Sequence, residues 1–176
     1  MKTVENERNV KVRTGQLDDA ESILRIQREV ISENDFLISE PEEFTNTVEQ
    51  QIDWLKNIIA NDRETIIVAE INSKGIGWIV FQSHTRKRLS HTGSFGVMID
   101  KEYRGLGMGK LLIHALQEWA EKNPLIEKVS LGVFSTNHRA IALYKSLGFV
   151  EEGRKVNEIK MNDNEYVDDV LMYKLV

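Results

Sequence analysis

The sequence predicts an α/β protein, more closely an α+β mixed sheet covered by helices. Three observations carry this. Apolar stripes of helical period alternate along the chain with short β-branched and aromatic runs. Cap and turn residues stand at the ends of these segments. Helical segments also interrupt the strands instead of following them as a block, which gives the order β-α-α-β-β-β-α-β-α-β-β.

Asn9 to Gln16 reads as the first strand. Asp18-Asp19-Ala20-Glu21 has the spacing of a capping box, with Asp18 as the cap. Ile23, Ile26, Val30 and Ile31 form the helical stripe behind it. A second helix follows Pro41, with Val48, Ile52, Leu55 and Ile59 on its apolar face. The period then changes. Thr65 to Ala69 and Gly77 to Phe81 are strand-like, and Asn72-Ser73-Lys74-Gly75 between them is a hairpin turn signal. His91 to Ile99 is the next strand. Met108, Leu111, Leu112, Ala115, Leu116 and Trp119 define a strong helix, which Asn123-Pro124 stops. Lys128 to Phe134 is another strand. Asn137 caps a helix with Ala140, Leu143, Tyr144 and Leu147 inward, and Gly148 ends it in a left-handed position. Val150 to Met161 and Glu165 to Leu175 form a last hairpin around Asn162-Asp163-Asn164.

A chain of 176 residues with 41% hydrophobic and 29% charged residues suits a single domain spanning residues 1–176. The net charge of −5 disfavours non-specific binding to nucleic acid or an anionic membrane surface. Without cysteine there is no disulfide, no thiolate ligand and no cysteine nucleophile. Met1 to Arg13 is polar and of mixed charge, and no stretch has the length of a membrane span. A cytoplasmic protein is expected. His84, His114 and His138 lack metal-ligand spacing, so no metal is expected. Arg86-Lys87-Arg88 is too short, and too poor in aromatic neighbours, for a nucleic-acid site.

The most informative segment is Arg104-Gly105-Leu106-Gly107-Met108-Gly109, between a strand and the strongest helix. Alternate glycines leave backbone N–H groups bare. A helix starting there aims them, with the positive end of its dipole, at an anion such as a phosphate or pyrophosphate. The run is not a nucleoside-triphosphate P-loop, which needs glycine at Arg104 and Ser or Thr at Leu111. It is not the dinucleotide fingerprint, whose third glycine would fall on Lys110.

Two blocks carry a family resemblance: Val97 to Leu112, containing the glycine run, and Asn137-His138-Arg139-Ala140-Ile141-Ala142-Leu143-Tyr144-Lys145-Ser146-Leu147-Gly148-Phe149. Together and in this order they resemble the GNAT family of acyl-CoA-dependent N-acyltransferases, over nearly the whole chain. The tail resembles bacterial members that acetylate amino acids, related small amines or protein N-termini. The resemblance implies the GNAT fold, acetyl-CoA as cosubstrate and a primary amine as acceptor. It implies that Arg104, Gly105, Leu106, Gly107, Met108 and Gly109 cradle the pyrophosphate through their amides. It also implies that the strand edge at Val97 and Ile99 pairs with the pantetheine arm, and that a backbone N–H of the cofactor-binding segment Val97, Met98 and Ile99 is the oxyanion donor. Asn137 would contact the same arm, and Tyr144 would be the general acid near the sulfur.

The base stays open, with His91 and Glu33 (acting through water) as alternatives. Ribosomal-protein N-terminal acetyltransferases of this family carry a glutamate where this chain has Gly132. A small-molecule amine is therefore favoured over a protein acceptor. A protein N-terminal acetyltransferase and a non-catalytic acyl-CoA-binding module are the rival readings. Acceptor choice is assigned to the first two helices and the final hairpin. The family includes homodimers, and the C-terminal edge strands are where one would form.

Overall fold

The computed structural model describes residues 9–176; the polar start from Met1 to Arg8 lies outside the described residues. Seven strands form one mixed sheet: β1 (Val10–Thr14), β2 (Thr65–Ile71), β3 (Lys74–Ser83), β4 (Thr92–Ile99), β5 (Lys128–Phe134), β6 (Val150–Asn162) and β7 (Glu165–Leu175). Their spatial order is β1-β2-β3-β4-β5-β7-β6. Only β4 and β5 are parallel, as a strand-helix-strand connection requires. The four helices are α1 (Ala20–Ser32), α2 (Val48–Ile59), α3 (Met108–Lys122) and α4 (His138–Ser146). The expected fold class and element order are therefore observed.

Strand alternation divides the core into two layers. Ile67, Ile79, Phe81, Phe95, Leu131, Val133, Val170 and Met172 point to the side of α3 and α4. Ile66, Val68, Trp78 and Val80 point to the side of α1 and α2, where Met98 joins them. Both sheet faces at β2 and β3 are thus buried, which explains why these two strands read as continuous apolar runs. The β2–β3 turn is tighter than expected. Asn72 and Ser73 alone make it, both with positive φ (49° and 64°), and Lys74 and Gly75 already lie in β3.

Several helical faces differ from the expected stripes. On α2, Leu55 and Ile58 are buried while Ile59 is 51% exposed, because Gln51 occupies the next inward position and donates to Gln27. On α3, Leu112, Ile113, Leu116 and Ala120 are buried and Leu111 faces out. Gln117 on that rotated face donates to the Leu147 carbonyl and ties α3 to the end of α4. The expected Asp18 cap is displaced by one residue. Asp19 accepts from the Gln16 amide at 2.7 Å and pairs with Arg13, which also holds Glu70 on β2. A short 3-10 turn, Leu17–Asp19, therefore precedes α1.

Gly93 marks a close approach of strands: a Cβ there would overlap the Gln82 carbonyl and stand 2.6 Å from the Phe81 ring. Gly93→Ala should cost about 1–3 kcal/mol of stability, read as a lower urea midpoint with an unchanged slope.

Candidate active site

The site begins where β4 and β5 part. They are in register at Thr92–Lys128, Gly93–Val129 and Ser94–Ser130, and nowhere beyond. Past that point β4 keeps its pairing with β3, and β5 keeps its pairing with β7 down to Phe134–Asp169. A wedge therefore opens in the middle of the sheet.

Alternation says which backbone groups face it. The Asp100 amide donates to Ile76 and the Thr92 carbonyl accepts from His84, so even-numbered residues of β4 bond to β3. The amides of Val97 and Ile99 consequently point into the wedge. Met98 does not: its backbone belongs to the ladder opposite Trp78. The expected participation of Met98 is corrected on that ground. On the other edge the Ser135 amide bonds to Asp168, so odd residues of β5 face β7 and Gly132 turns its backbone to the wedge.

The glycine run lies directly past β4. Gly105 and Gly107 take positive φ (75° and 84°), a conformation that costs glycine nothing. Gly107 is the cap of α3, and the first intrahelical bond runs from the Leu111 amide to the Gly107 carbonyl. No amide from Gly105 to Lys110 donates to a described residue. A Cβ on Gly107 would meet nothing within 4 Å. These are the features of an anion cradle.

Arg104 stands apart from the residues after it. Its amide turns back to Lys101 at 3.4 Å. Its guanidinium makes two 2.7 Å bonds to Glu33 at the end of α1, and its Nε donates to the Ile99 carbonyl. The side chain neither faces solvent nor stands as a free charge for phosphate; it clamps the loop to α1. Arg25 does the same beside it, bonding Asp100 at 2.9 Å and the Gly75 carbonyl. Among the described residues Arg139 makes no ion pair, and its Nη2 stands 3.4 Å from where a Gly105 Cβ would be. Sequence reasoning passed over Arg139, although it sits inside the second diagnostic block.

Asn137 follows β5 at the other edge of the wedge, its amide bonding to Phe134. Its side-chain oxygen caps α4 through the Ala140 amide, and its Nδ2 has no described partner. Tyr144 projects from α4 against Phe95 of β4 (ring centroids 5.8 Å apart) and against Phe149. Only 9% of Tyr144 is exposed, and burial pushes its phenol up to about 12. Its hydroxyl has no hydrogen-bond partner among the described residues, yet it is not sealed from solvent. It is a protonated donor with nothing to donate to.

Neither expected base fits. His91 precedes β4 at the closed end, where its carbonyl takes the Glu127 and Lys128 amides. Six residues along a strand place it about 20 Å from Val97. The Arg104 guanidinium holds the Glu33 carboxyl below the usual glutamate range, which makes it a poor proton acceptor.

A parted parallel pair, bare edge amides and a side-chain-free helix N-terminus define an acyltransferase working on a CoA thioester: the amides suit pyrophosphate, and the strand edges suit the amide-bearing arm. The family model described as "Acetyltransferase (GNAT) family" matches residues 28–149, and the chain belongs to that family. It is an acetyl-CoA-dependent N-acetyltransferase. The chain is 26% identical over 141 residues to an L-amino acid N-acetyltransferase of Escherichia coli, covering 78% of this chain and 86% of the relative. It is 27% identical over 140 residues to a spermidine N(1)-acetyltransferase of Vibrio cholerae, covering 80% and 78%. A GNAT-family acetyltransferase structure from Streptococcus pneumoniae superposes with a TM-score of 0.90 at 28% identity, covering 95% of this chain and 99% of that one.

Two predictions follow from this geometry. Asn and Asp are similar in shape and both tolerate positive φ, so Gly107→Asn and Gly107→Asp differ mainly in charge. By calorimetry, Gly107→Asp should bind acetyl-CoA at least about tenfold more weakly than Gly107→Asn, or ~1.4 kcal/mol. The second concerns Glu33. A carboxyl held low in the folded state stabilises above its unfolded pKa, and that contribution is lost as pH falls through the folded value. Stability measured from neutral pH down through about 4.3 and below should fall less steeply in Glu33→Gln than in the wild type.

Proposed function

We propose that the protein acetylates the primary amine of a small molecule, an amino acid or a related amine. The observation that carries this is the floor of the wedge on the α1–α2 side. There β4 presents Gly96 and β5 presents Gly132, each two residues past the last paired serines, Ser94 and Ser130. A Cβ on Gly96 would meet nothing within 4 Å. Two facing glycines add no side chains of their own to this part of the wedge, which lets a compact acceptor reach a thioester lying there.

The roles follow from position. Amides from Gly105 to Gly109, including those of Leu106 and Met108, hold the pyrophosphate, and Arg139 adds charge beside Gly105. Val97 and Ile99 pair with the pantetheine arm, and one of their amides faces the developing oxyanion. Asn137 offers Nδ2 to the arm while its oxygen caps α4. Tyr144, kept protonated by burial, gives its proton to the departing sulfur. Bound acetyl-CoA supplies the activated acetyl group.

Thiol release from acetyl-CoA across L-amino acids, polyamines and N-terminal peptides tests the reading. Turnover with free amino acids or polyamines is the expected result; turnover with peptides alone would transfer the assignment to protein N-termini. With the best acceptor, Tyr144→Phe should lower kcat about 100-fold or more and leave acetyl-CoA affinity within about twofold, since the lost hydroxyl acts on the leaving group.

A further inference from the structure

The wedge as described has an acid and no partner for the incoming ammonium. The carboxylate that fits is on the neighbouring strand. Asp169 of β7 lies beside Gly132 of β5, with Oδ1 2.7 Å and Oδ2 3.4 Å from where a Gly132 Cβ would stand. Leu131 and Val133, on either side of Gly132, point into the α3–α4 core, so the carboxylate lies on the opposite face, over Gly132.

We infer that Asp169 is the acceptor-binding carboxylate of this enzyme, receiving the ammonium of the amine over Gly132 and taking its first proton. The inference rests on the small-amine reading above.

Three further observations support it. The Asp169 side chain is only 15% exposed, and no described group donates a hydrogen bond to it. Its one cation among the described residues is Lys155 of β6, 3.9 Å away on a side chain that is 53% exposed and also reaches Glu158. A mostly buried carboxylate without donors is costly unless something else provides them. Both its oxygens nevertheless remain open to solvent, so a ligand can reach them. Burial raises its pKa, with Glu158 adding to the rise and Lys155 opposing it. It is therefore a better proton acceptor than Glu33, whose carboxyl is held low.

The position also explains Gly132. Any side chain there would collide with the Asp169 carboxylate. The glycine makes room for a carboxylate that reaches across from β7.

The proton account closes. The ammonium gives one proton to Asp169 and becomes a neutral nucleophile. Its lone pair forms the C–N bond as the C–S bond breaks, and Tyr144 protonates the departing sulfur. The surplus proton on nitrogen returns to the Tyr144 oxygen through water, and Asp169 releases its proton to solvent.

Two variants test this, assayed with the best acceptor among the L-amino acids and spermidine. Asp169→Asn keeps the shape and removes the charge. Its kcat/KM for the amine should fall about 100-fold or more, with acetyl-CoA affinity and unfolding midpoint unchanged. Gly132→Ala displaces the carboxylate without removing it and should show the same split. Turnover within about threefold of wild type in Asp169→Asn, or a matching loss of acetyl-CoA affinity, overturns the inference. Silence of the wild type with every amine would overturn the small-amine reading instead. Spermidine titrated into the CoA-loaded wild type and Asp169→Asn then decides Asp169 alone: weaker binding by the variant upholds it, and equal binding overturns it.

Discussion

Sheet hydrogen bonding stops between β4 and β5 after Ser94–Ser130, and this interruption sets the terms for the rest of the molecule. Unpaired backbone groups inside a sheet are unfavourable unless water or a ligand satisfies them. The strands tolerate the break because each is held on its other side. β4 has seven register pairs with β3, from Gly77–Ile99 to Ser83–Gly93. β5 has seven with β7, from Lys128–Leu175 to Phe134–Asp169. The wedge is therefore a rigid slot whose donors are already aimed, and little ordering is needed when an amide-bearing arm enters it. The amides of Val97 and Ile99 and the backbone of Gly132 are open to a ligand because the sheet leaves them unpaired.

The α1 clamp serves the same slot. The glycine run needs backbone freedom at Gly105 and Gly107, and that freedom would leave the cradle loose. Arg104 and Arg25 counter it from either end of the β4–α3 turn. One fixes Ile99 and Glu33, the other Asp100 and Gly75. Asp100 is 3% exposed and also accepts the Glu102 amide, so this corner is well determined before the glycines begin. The charge that the sequence places in the anion loop is spent on holding the loop's shape. In the proposed reading this leaves the anion to the loop amides and to Arg139 of α4.

The sequence reveals most of this through local chemistry. The glycine run, the Asn137 cap and the α4 stripe with Tyr144 depend on residues within a turn or two of one another, so spacing alone exposes them. What it hides is lateral. Asp169 and Gly132 are far apart along the chain and meet only because β7 lies beside β5. The odd-even phase that points Val97 and Ile99 into the wedge, and turns Met98 away, depends on the β3–β4 register. The Arg104–Glu33 pair spans 71 residues. The α3 face depends on packing in the same way. Leu111 and Ile113 are equally apolar, and only the packing of α3 on β2, β3 and β4 decides that Ile113 goes in. Local pattern identifies elements, whereas partners across strands decide which atoms of those elements are free.

The wedge passes through the sheet, and this has a chemical consequence. Tyr144 reaches it from the α3–α4 face, packed on Phe95, whereas Gly96 and Gly132 open it to the α1–α2 face. Thioester and amine can therefore arrive from opposite sides and meet in the plane of the sheet. Neither has to displace the other, which suits the proposed direct attack of the amine on the thioester. A sheet closed by regular β4–β5 pairing would wall the two faces off from each other. Since the two faces are built from different helices, the acceptor side can change with α1, α2 and the β6–β7 hairpin while the cofactor side stays the same. That separation fits the proposed division of the site, with the cofactor half on the glycine run and the acceptor half on one carboxylate reaching across from the next strand.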